Sequence, residues 1–193
     1  MMQKALATIA DRSKRLLSTS VTFVGPVQES QVRLTAEILR QGKSVTTIEV
    51  RLWQDDAVQS ILIASFGTHR ESGISVQQQR IAPEFPAVEH LTIVPPPPLA
   101  PQCFQQMDLV WIDGQYPCTA SEKPDFSGWM RFNPERHDNR EMTVADLMVA
   151  FDMWPPGVLP MFKSFAPASS LTWHVTYVHP LNSHLQDWFK YKV

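Results

Sequence analysis

The chain of 193 residues contains only two cysteines, Cys103 and Cys118. Two are too few for a disulfide framework, and they lack the partner spacing of a zinc site. No HExxH motif and no cysteine cluster accompanies them, so the sequence predicts neither a metal nor a cofactor. We therefore expect free thiols in a reducing compartment, which favours the cytoplasm.

Long hydrophobic runs and an excess of one charge are also missing. No stretch approaches the roughly 18 apolar residues of a membrane span, and the N-terminus has no apolar run of signal length. The net charge is −2, and lysines and arginines form no basic stripe. Neither a membrane nor a nucleic acid is expected as a partner. With 44% hydrophobic and 19% charged residues the chain should fold as a globular protein.

The most informative feature that is present is a repeated segment. Residues 21–27 (VTFVGPV) and 175–181 (VTYVHPL) differ conservatively except for Gly25 against His179. Both copies alternate as strands do, with a predicted core face at Leu17, Thr19, Val21, Phe23 and at Leu171, Trp173, Val175, Tyr177. The opposite face carries Ser18, Ser20, Thr22 and Ser170, Thr172, His174, Thr176, which suits a solvated surface or a cleft. The repeat favours a duplicated structural unit, with chance similarity as the alternative.

The remaining segments predict helices and strands around a proline-rich linker. A short helix opens the chain at residues 2–10, and a second helix over 144–154 begins at a capping box of Thr143 and Asp146 and stops at Pro155. The predicted strands are 32–39, 44–53, 58–66, 104–112 and 128–132, with others from 170 and near 188. The linker, 70–102, contains a four-proline run at 95–98, typical of a stiff spacer.

One carboxylate in the second helix attracts attention. The helix is apolar nearly all round, which predicts that it is buried, and Asp152 projects into its apolar arc whereas Asp146 points towards water. Burying a carboxylate costs on the order of several kcal/mol unless the group is hydrogen-bonded or its pKa rises. Asp152 is therefore a candidate site residue, the alternative being that it only marks the end of the helix.

These segments together resemble a known family. The helix ending in residues 151–156 (FDMWPP), preceded by 128–132 (GWMRF) and followed by 169–175 (SSLTWHV), is similar to the second half of double-hotdog acyl-CoA thioesterases of the type II, TesB-like family. Residues 21–66 resemble the first half. The resemblance implies an α+β fold of two tandem hotdogs, each an antiparallel sheet wrapped around a central helix. The expected units are 1–69 and 103–193, joined by the linker 70–102.

The resemblance also implies a site. In that family a helix-borne Asp, a hydroxyl at the start of the next strand and a Gln on a late strand orient water against a thioester, and Asp152 and Ser170 match the first two. The Gln has no counterpart, and both units look cut at their outer ends. Ser170 has the alternative of an ordinary strand-edge hydroxyl. Thr172, His174 and Trp154 are the expected substrate-binding residues.

We therefore expect an acyl-CoA thioesterase-like protein that hydrolyses its substrate with water activated at Asp152. The alternative is a catalytically incomplete hotdog protein that binds an acyl ligand or has a role in assembly. Open sheet edges further predict a homo-oligomer.

Overall fold

The computed structural model describes residues 1–74, 76, 83–96 and 100–193. These residues form two α-helices, eight β-strands and three short 3-10 helices at Val88–His90, Gln102–Gln106 and Leu159–Met161. The α-helices are α1 (Met2–Thr8) and α2 (Val144–Phe151); the strands are β1 (Arg15–Phe23), β2 (Arg33–Gln41), β3 (Val45–Gln54), β4 (Ala57–Gly67), β5 (Met107–Gly114), β6 (Phe126–Phe132), β7 (Thr172–Thr176) and β8 (Phe189–Lys192). Antiparallel sheets with few helices confirm the expected α+β class. In the part of the chain described, neither helix has the length and hydropathy that a bilayer crossing requires.

The chain divides into two compact units. The first contains Met1–Gln77 and Ser169–Pro180, and the second contains Gln78–Ala168 and Leu181–Val193. This division differs from the one expected from the sequence, because β7 pairs with β1 and so joins the first unit, although the sequence placed it within 103–193. The boundaries 1–69, 70–102 and 103–193 remain a prediction about hotdog units.

The first compact unit is a five-stranded antiparallel sheet in the order β2-β3-β4-β1-β7. The predicted meander is confirmed, since β2, β3 and β4 follow one another with only tight turns between them. The β3–β4 turn places Asp55 and Asp56 at φ 50° and 60°, a left-handed conformation that the short Asp side chain tolerates.

One face of this sheet forms the core of the first unit. Its buried side chains alternate along the strands and include Ile48, Val50, Leu62, Ala64 and Phe66. Helix α1 packs against β2, β3 and β4 and buries Met2 and Ala5, as its helical spacing predicts. The opening helix is thus confirmed, although it ends at Thr8.

The two copies of the repeated segment are hydrogen-bonded neighbours. In the antiparallel register of β1 and β7, Ser20 lies opposite His174. These two residues are also equivalent in the repeat, 154 positions apart. A local two-fold axis relating the two strands therefore passes between Ser20 and His174. Trp173, Val175 and Tyr177 are half-buried as predicted, but Leu171 precedes β7 and is 74% exposed.

The second compact unit has a three-stranded sheet in the order β5-β6-β8. Its core is a cluster of mainly sulfur-containing, aromatic and aliphatic side chains: Met107, Leu109, Phe126, Met130, Phe132, Met142, Ala150, Met153, Trp154 and Leu185. Only Ala150 of this cluster comes from α2, and two members follow the helix directly. The residues after α2 therefore attach the helix to the sheet as much as the helix itself does.

Residues 83–96 of the predicted linker pack on the second unit instead of standing free. The backbone N–H of Val94 donates to Leu109 O (2.8 Å) at the open edge of β5, and the Trp129 indole donates to Pro86 O (3.1 Å). Lys190 Nζ donates to Pro83 O (3.1 Å). Residues 83–96 therefore form a strap along this sheet. The Gln77–Gln79 run and the second half of the proline run, residues 97–98, lie outside the described residues.

Candidate active site

The N-terminus of α2 is fixed by a capping box, as the sequence predicts. Thr143 Oγ1 accepts from Asp146 N (3.3 Å), and Thr143 N donates to Asp146 Oδ2 (2.8 Å). Arg140 adds two parallel hydrogen bonds to the Asp146 carboxylate, both 2.8 Å. The Arg140 guanidinium, ahead of the Thr143 contacts, lowers the pKa of Asp146 to about 2. Asp146 is therefore partly exposed, in keeping with the expectation that it points towards water, and is also paired with Arg140.

Asp152 lies at the other end of α2, where it is the C-cap residue. The prediction of a buried Asp152 in a buried helix is wrong, because Asp152 is exposed and Val149 and Phe151 are 47% and 45% exposed. The helix packs on the second core through Ala150 and ends at Phe151, so Asp152 lies just beyond its last turn. Asp152 can thus meet solvent without the cost of burial.

Trp154 anchors the chain directly after this carboxylate. It is 5% exposed, and its indole N–H points at Met130 Sδ (3.1 Å). Its ring passes close to Gly128, where an added Cβ would lie 2.6 Å from Trp154 Cη2 and closer still to the carbonyl oxygen of Val110. The absence of a side chain at Gly128 therefore allows Trp154 to lie against β6. Trp154, an expected substrate-binding residue, is a core residue of the second unit.

Tyr191 on β8 is the neighbour of this site that the sequence did not single out. Its ring stacks on Trp154 with centroids 4.6 Å apart and an interplanar angle of 6°. Burial raises the pKa of the Tyr191 phenol, and the negative charge of Asp152 raises it further. No sequence signal could have identified Tyr191, because its closeness to Asp152 depends on the pairing of β8 with β6.

Ser170, Thr172 and His174 belong to the first compact unit. Ser170 is exposed in the extended segment before β7, and Thr172 and His174 share the polar face of that strand, as predicted. His174 Nδ1 forms a 2.6 Å hydrogen bond with Ser20 Oγ, and Thr176 Oγ1 lies 3.4 Å from its Nε2. Both ring nitrogens of His174 therefore contact hydroxyl groups on the sheet surface.

The five predicted site residues thus fall into two groups. Asp152 and Trp154 lie together in the second compact unit, and Ser170, Thr172 and His174 lie together in the first. Cavities of about 430 Å³ and about 220 Å³ adjoin the strap in the second unit, and none of the five residues lines either one. Among the residues described, His, Cys, Asp and Glu side chains form no group of three that could hold a metal.

The fold places the chain in the hotdog class of proteins. A hotdog-fold protein of unknown function from Alicyclobacillus acidocaldarius superposes with a TM-score of 0.77 at 23% identity, covering 93% of this chain and 65% of that one. A putative thioesterase II from Thermobifida fusca YX superposes with a TM-score of 0.76 at 18% identity, covering 99% of this chain and 70% of that one. A tesB protein from Mycobacterium avium subs paratuberculosis superposes with a TM-score of 0.72 at 19% identity, covering 99% of this chain and 69% of that one.

Within this class, the chain belongs to the acyl-CoA thioesterase family. The acyl-CoA thioesterase N-terminal domain matches residues 1–67, and the acyl-CoA thioesterase C-terminal domain matches residues 77–193. The resemblance found in the sequence is confirmed. The chain spans about two thirds of the length of the structures to which it is similar. No curated protein matches it.

Proposed function

We propose that this protein is an acyl-CoA thioester hydrolase in which Asp152 activates the attacking water. The observation that carries the proposal is the solvent-accessible carboxylate at the end of α2, preceded by the exposed apolar side chains of Val149 and Phe151. A carboxylate that reaches water can accept its proton, and apolar surface suits a fatty acyl chain. The family and its thioesterase-named structural relatives support the substrate class.

The chemistry needs one proton transfer at each end of the reaction. Asp152 accepts a proton as the water oxygen bonds to the thioester carbonyl carbon, and the carbon–sulfur bond then breaks. The coenzyme A thiolate that leaves takes up the proton. Ser170 is included as the hydroxyl that holds the water on the strength of the family resemblance alone, and Thr172, His174 and Trp154 remain the proposed substrate-binding residues.

The test measures free-thiol release from a panel of acyl-CoAs of different chain length. Asp152→Asn should lower kcat at least about 100-fold, since general-base catalysis contributes about 100- to 10,000-fold. The matched control is Asp113→Asn, which removes another exposed carboxylate of the second unit at the end of β5. Turnover that is equal in Asp152→Asn and the wild type would rule out Asp152 as the base.

Ser170 has its own matched control in the neighbouring exposed residue, Ser169. We expect Ser170→Ala to lower kcat and Ser169→Ala to leave it unchanged. Equal activity of the two variants would contradict a role for Ser170. If the wild type binds a fluorescent acyl-CoA but releases no thiol from any substrate, the alternative of an acyl-binding protein without hydrolysis replaces the enzyme proposal.

We also propose that the architecture is a tandem hotdog in which each sheet wraps around a helix. The local two-fold axis between β1 and β7 supports a duplicated unit, since the repeated segments are equivalent under it. The packing of α1 on its sheet and of Ala150 in the second core supports the paired helices. An experimental structure in which β1 and β7 are not neighbours would contradict this arrangement.

Assembly and location are proposals of the same kind. β2 is an edge strand of nine residues, most of them exposed, and such edges pair readily with other strands. We therefore propose a homo-oligomer, and a monomeric mass in light scattering would contradict it. The free thiols of exposed Cys103 and half-buried Cys118 support a reducing compartment, the cytoplasm.

A further inference from the structure

Ser20 and His174 face each other across adjacent strands, with their side chains on the polar face of the first sheet. Phe23 N donates to Leu171 O (2.9 Å), which places the backbone hydrogen bonds between β1 and β7 at every second residue pair. The Ser20–His174 pair falls between these bonded pairs, where opposite side chains lie closest together. Ser20 Oγ and His174 Nδ1 are accordingly only 2.6 Å apart.

The second ring nitrogen of His174 also has a hydroxyl partner. Thr176 Oγ1 lies 3.4 Å from His174 Nε2, two residues along the same strand and on the same face. A neutral imidazole carries one proton, so when Nε2–H donates to Thr176, Nδ1 accepts the hydrogen bond from the Ser20 hydroxyl. A nucleophile, a base within hydrogen-bond reach and a third group that orients the base together activate a serine.

Apolar side chains adjoin Ser20 on the side away from His174. Ser20 lies opposite Ile63 in the register of β1 and β4, and Ile61 is two residues along β4 on the same face. Both isoleucines are half-buried, and His174 is exposed. A small molecule can therefore reach Ser20 and His174 from solvent and rest an apolar group on the isoleucines.

We propose that Ser20 is a nucleophile, activated by His174, that accepts the acyl group of small esters with a short apolar acyl chain. As Ser20 Oγ bonds to the ester carbonyl carbon, its proton passes to His174 Nδ1. The bond from that carbon to the leaving oxygen then breaks, and the leaving group takes the proton from His174. The products are an acyl ester on Ser20 and a free alcohol. This reaction goes beyond the proposed hydrolysis at Asp152, which belongs to the other compact unit.

The first test labels the full chain with diisopropyl fluorophosphate, which forms a stable adduct on an activated serine as fluoride leaves. Peptide mass spectrometry locates the adduct. We expect it on Ser20, and at least about 100-fold more slowly on Ser18, since general-base catalysis contributes about 100- to 10,000-fold. Ser18 is the internal control, because it is also half-buried on the same face but lies opposite Thr176. Equal labelling of Ser18 and Ser20, or labelling of neither, would overturn the proposal.

Variants then separate the base from the group that orients it. His174→Gln keeps a hydrogen-bonding side chain but removes the base, so labelling of Ser20 should slow about 100-fold or more. Thr176→Val should slow it about 2- to 10-fold through the lost hydrogen bond, and Thr176→Ser should restore the rate. An unchanged rate in His174→Gln would overturn the proposal. A rate in Thr176→Ser as low as in Thr176→Val would overturn the orienting role of Thr176.

The substrate class is tested with p-nitrophenyl acetate and p-nitrophenyl butyrate, by measuring the release of p-nitrophenolate. Relative to its spontaneous hydrolysis, the butyrate should react faster than the acetate in the wild type, and Ser20→Ala should lose this acceleration. Equal rates in the wild type and Ser20→Ala would overturn acyl transfer to Ser20, and a preference for acetate would contradict the apolar contact. Asp152→Asn should keep the adduct on Ser20, so a failure of the proposed acyl-CoA hydrolysis leaves this result unchanged.

Discussion

Replacement of Gly128 by alanine tests how tightly the segment after α2 is attached to the second sheet. The new methyl group would lie 2.6 Å from Cη2 of Trp154, well inside van der Waals contact, and would also meet the carbonyl oxygen of Val110. Neither group can move easily. The contacting atom of Val110 is a backbone oxygen of the adjacent strand β5, and the Trp154 ring is buried and stacked on Tyr191.

The size of the effect follows from two opposing terms. Extra methyl groups in a packed core typically cost about 1–3 kcal/mol. Alanine in place of glycine restricts the unfolded chain and returns about 0.4–1 kcal/mol. We expect Gly128→Ala to lower the free energy of unfolding by about 1–2 kcal/mol, a fall in Tm of about 2–8 °C for a chain of this length. Gly73→Ala is the control, because nothing lies within 4 Å of its added Cβ.

Urea denaturation followed by tryptophan fluorescence measures both variants, and a double variant identifies the source of the loss. Phenylalanine at position 154 lacks the outer ring atoms of tryptophan, so Gly128→Ala should cost at least about 0.5 kcal/mol less in a Trp154→Phe background. The Val110 contact persists in both backgrounds. Strictly additive effects, or equal stability of Gly128→Ala and Gly73→Ala, would refute the reasoning.

Three further predictions concern polar contacts. The pKa of Asp146 is lowered to about 2. The ionised carboxylate therefore contributes its full stabilisation of the folded state above the ordinary carboxyl pKa of about 3.9, and this contribution is lost as the pH falls towards 2. In Asp146→Asn the free energy of unfolding should depend less on pH in that window. Arg131→Met should lower the free energy of unfolding, measured in urea, by about 3 kcal/mol, because it leaves the buried Asp108 carboxylate (7% exposed) without its partner at 2.9 Å. Adding Asp108→Asn removes the buried charge and should restore part of the lost stability. Ser20→Ala should lower the free energy of unfolding by about 1 kcal/mol, because it removes the hydrogen bond between Ser20 and His174.

The elements that local chemistry determines were predicted well from the sequence. The β2–β4 meander is marked by alternating apolar residues and by turn residues such as Asp55 and Asp56, which adopt left-handed φ values. The start of α2 is equally local, because Thr143 and Asp146 are only three residues apart and satisfy each other's backbone. In these cases the interaction that selects the structure lies within a few residues of sequence.

The environment of Asp152 was not predictable in this way. An apolar helix indicates burial only if other elements cover all of its sides, and the periodicity of α2 does not reveal that only Ala150 is buried. Tyr191 reaches the same region because β8 pairs with β6, a contact that depends on residues far apart in the chain. The sequence could therefore nominate the carboxylate but not its exposure or its neighbour.

The two strands of the repeat differ in an instructive way across their local two-fold axis. On the polar face the paired positions all carry hydroxyl groups or the central Ser20–His174 contact, since Ser18 lies opposite Thr176 and Thr22 opposite Thr172. On the core face Val21 is equivalent to the identical Val175, whereas the equivalent residues Thr19 and Trp173 differ greatly in size. Thr19 is fully buried and bonds the Tyr177 hydroxyl, whereas Trp173 packs on Phe23 at 6.1 Å. The two copies therefore differ on the core face chiefly at Thr19 and Trp173, so a binding pocket that included these two positions would be lined differently on the two sides of the axis.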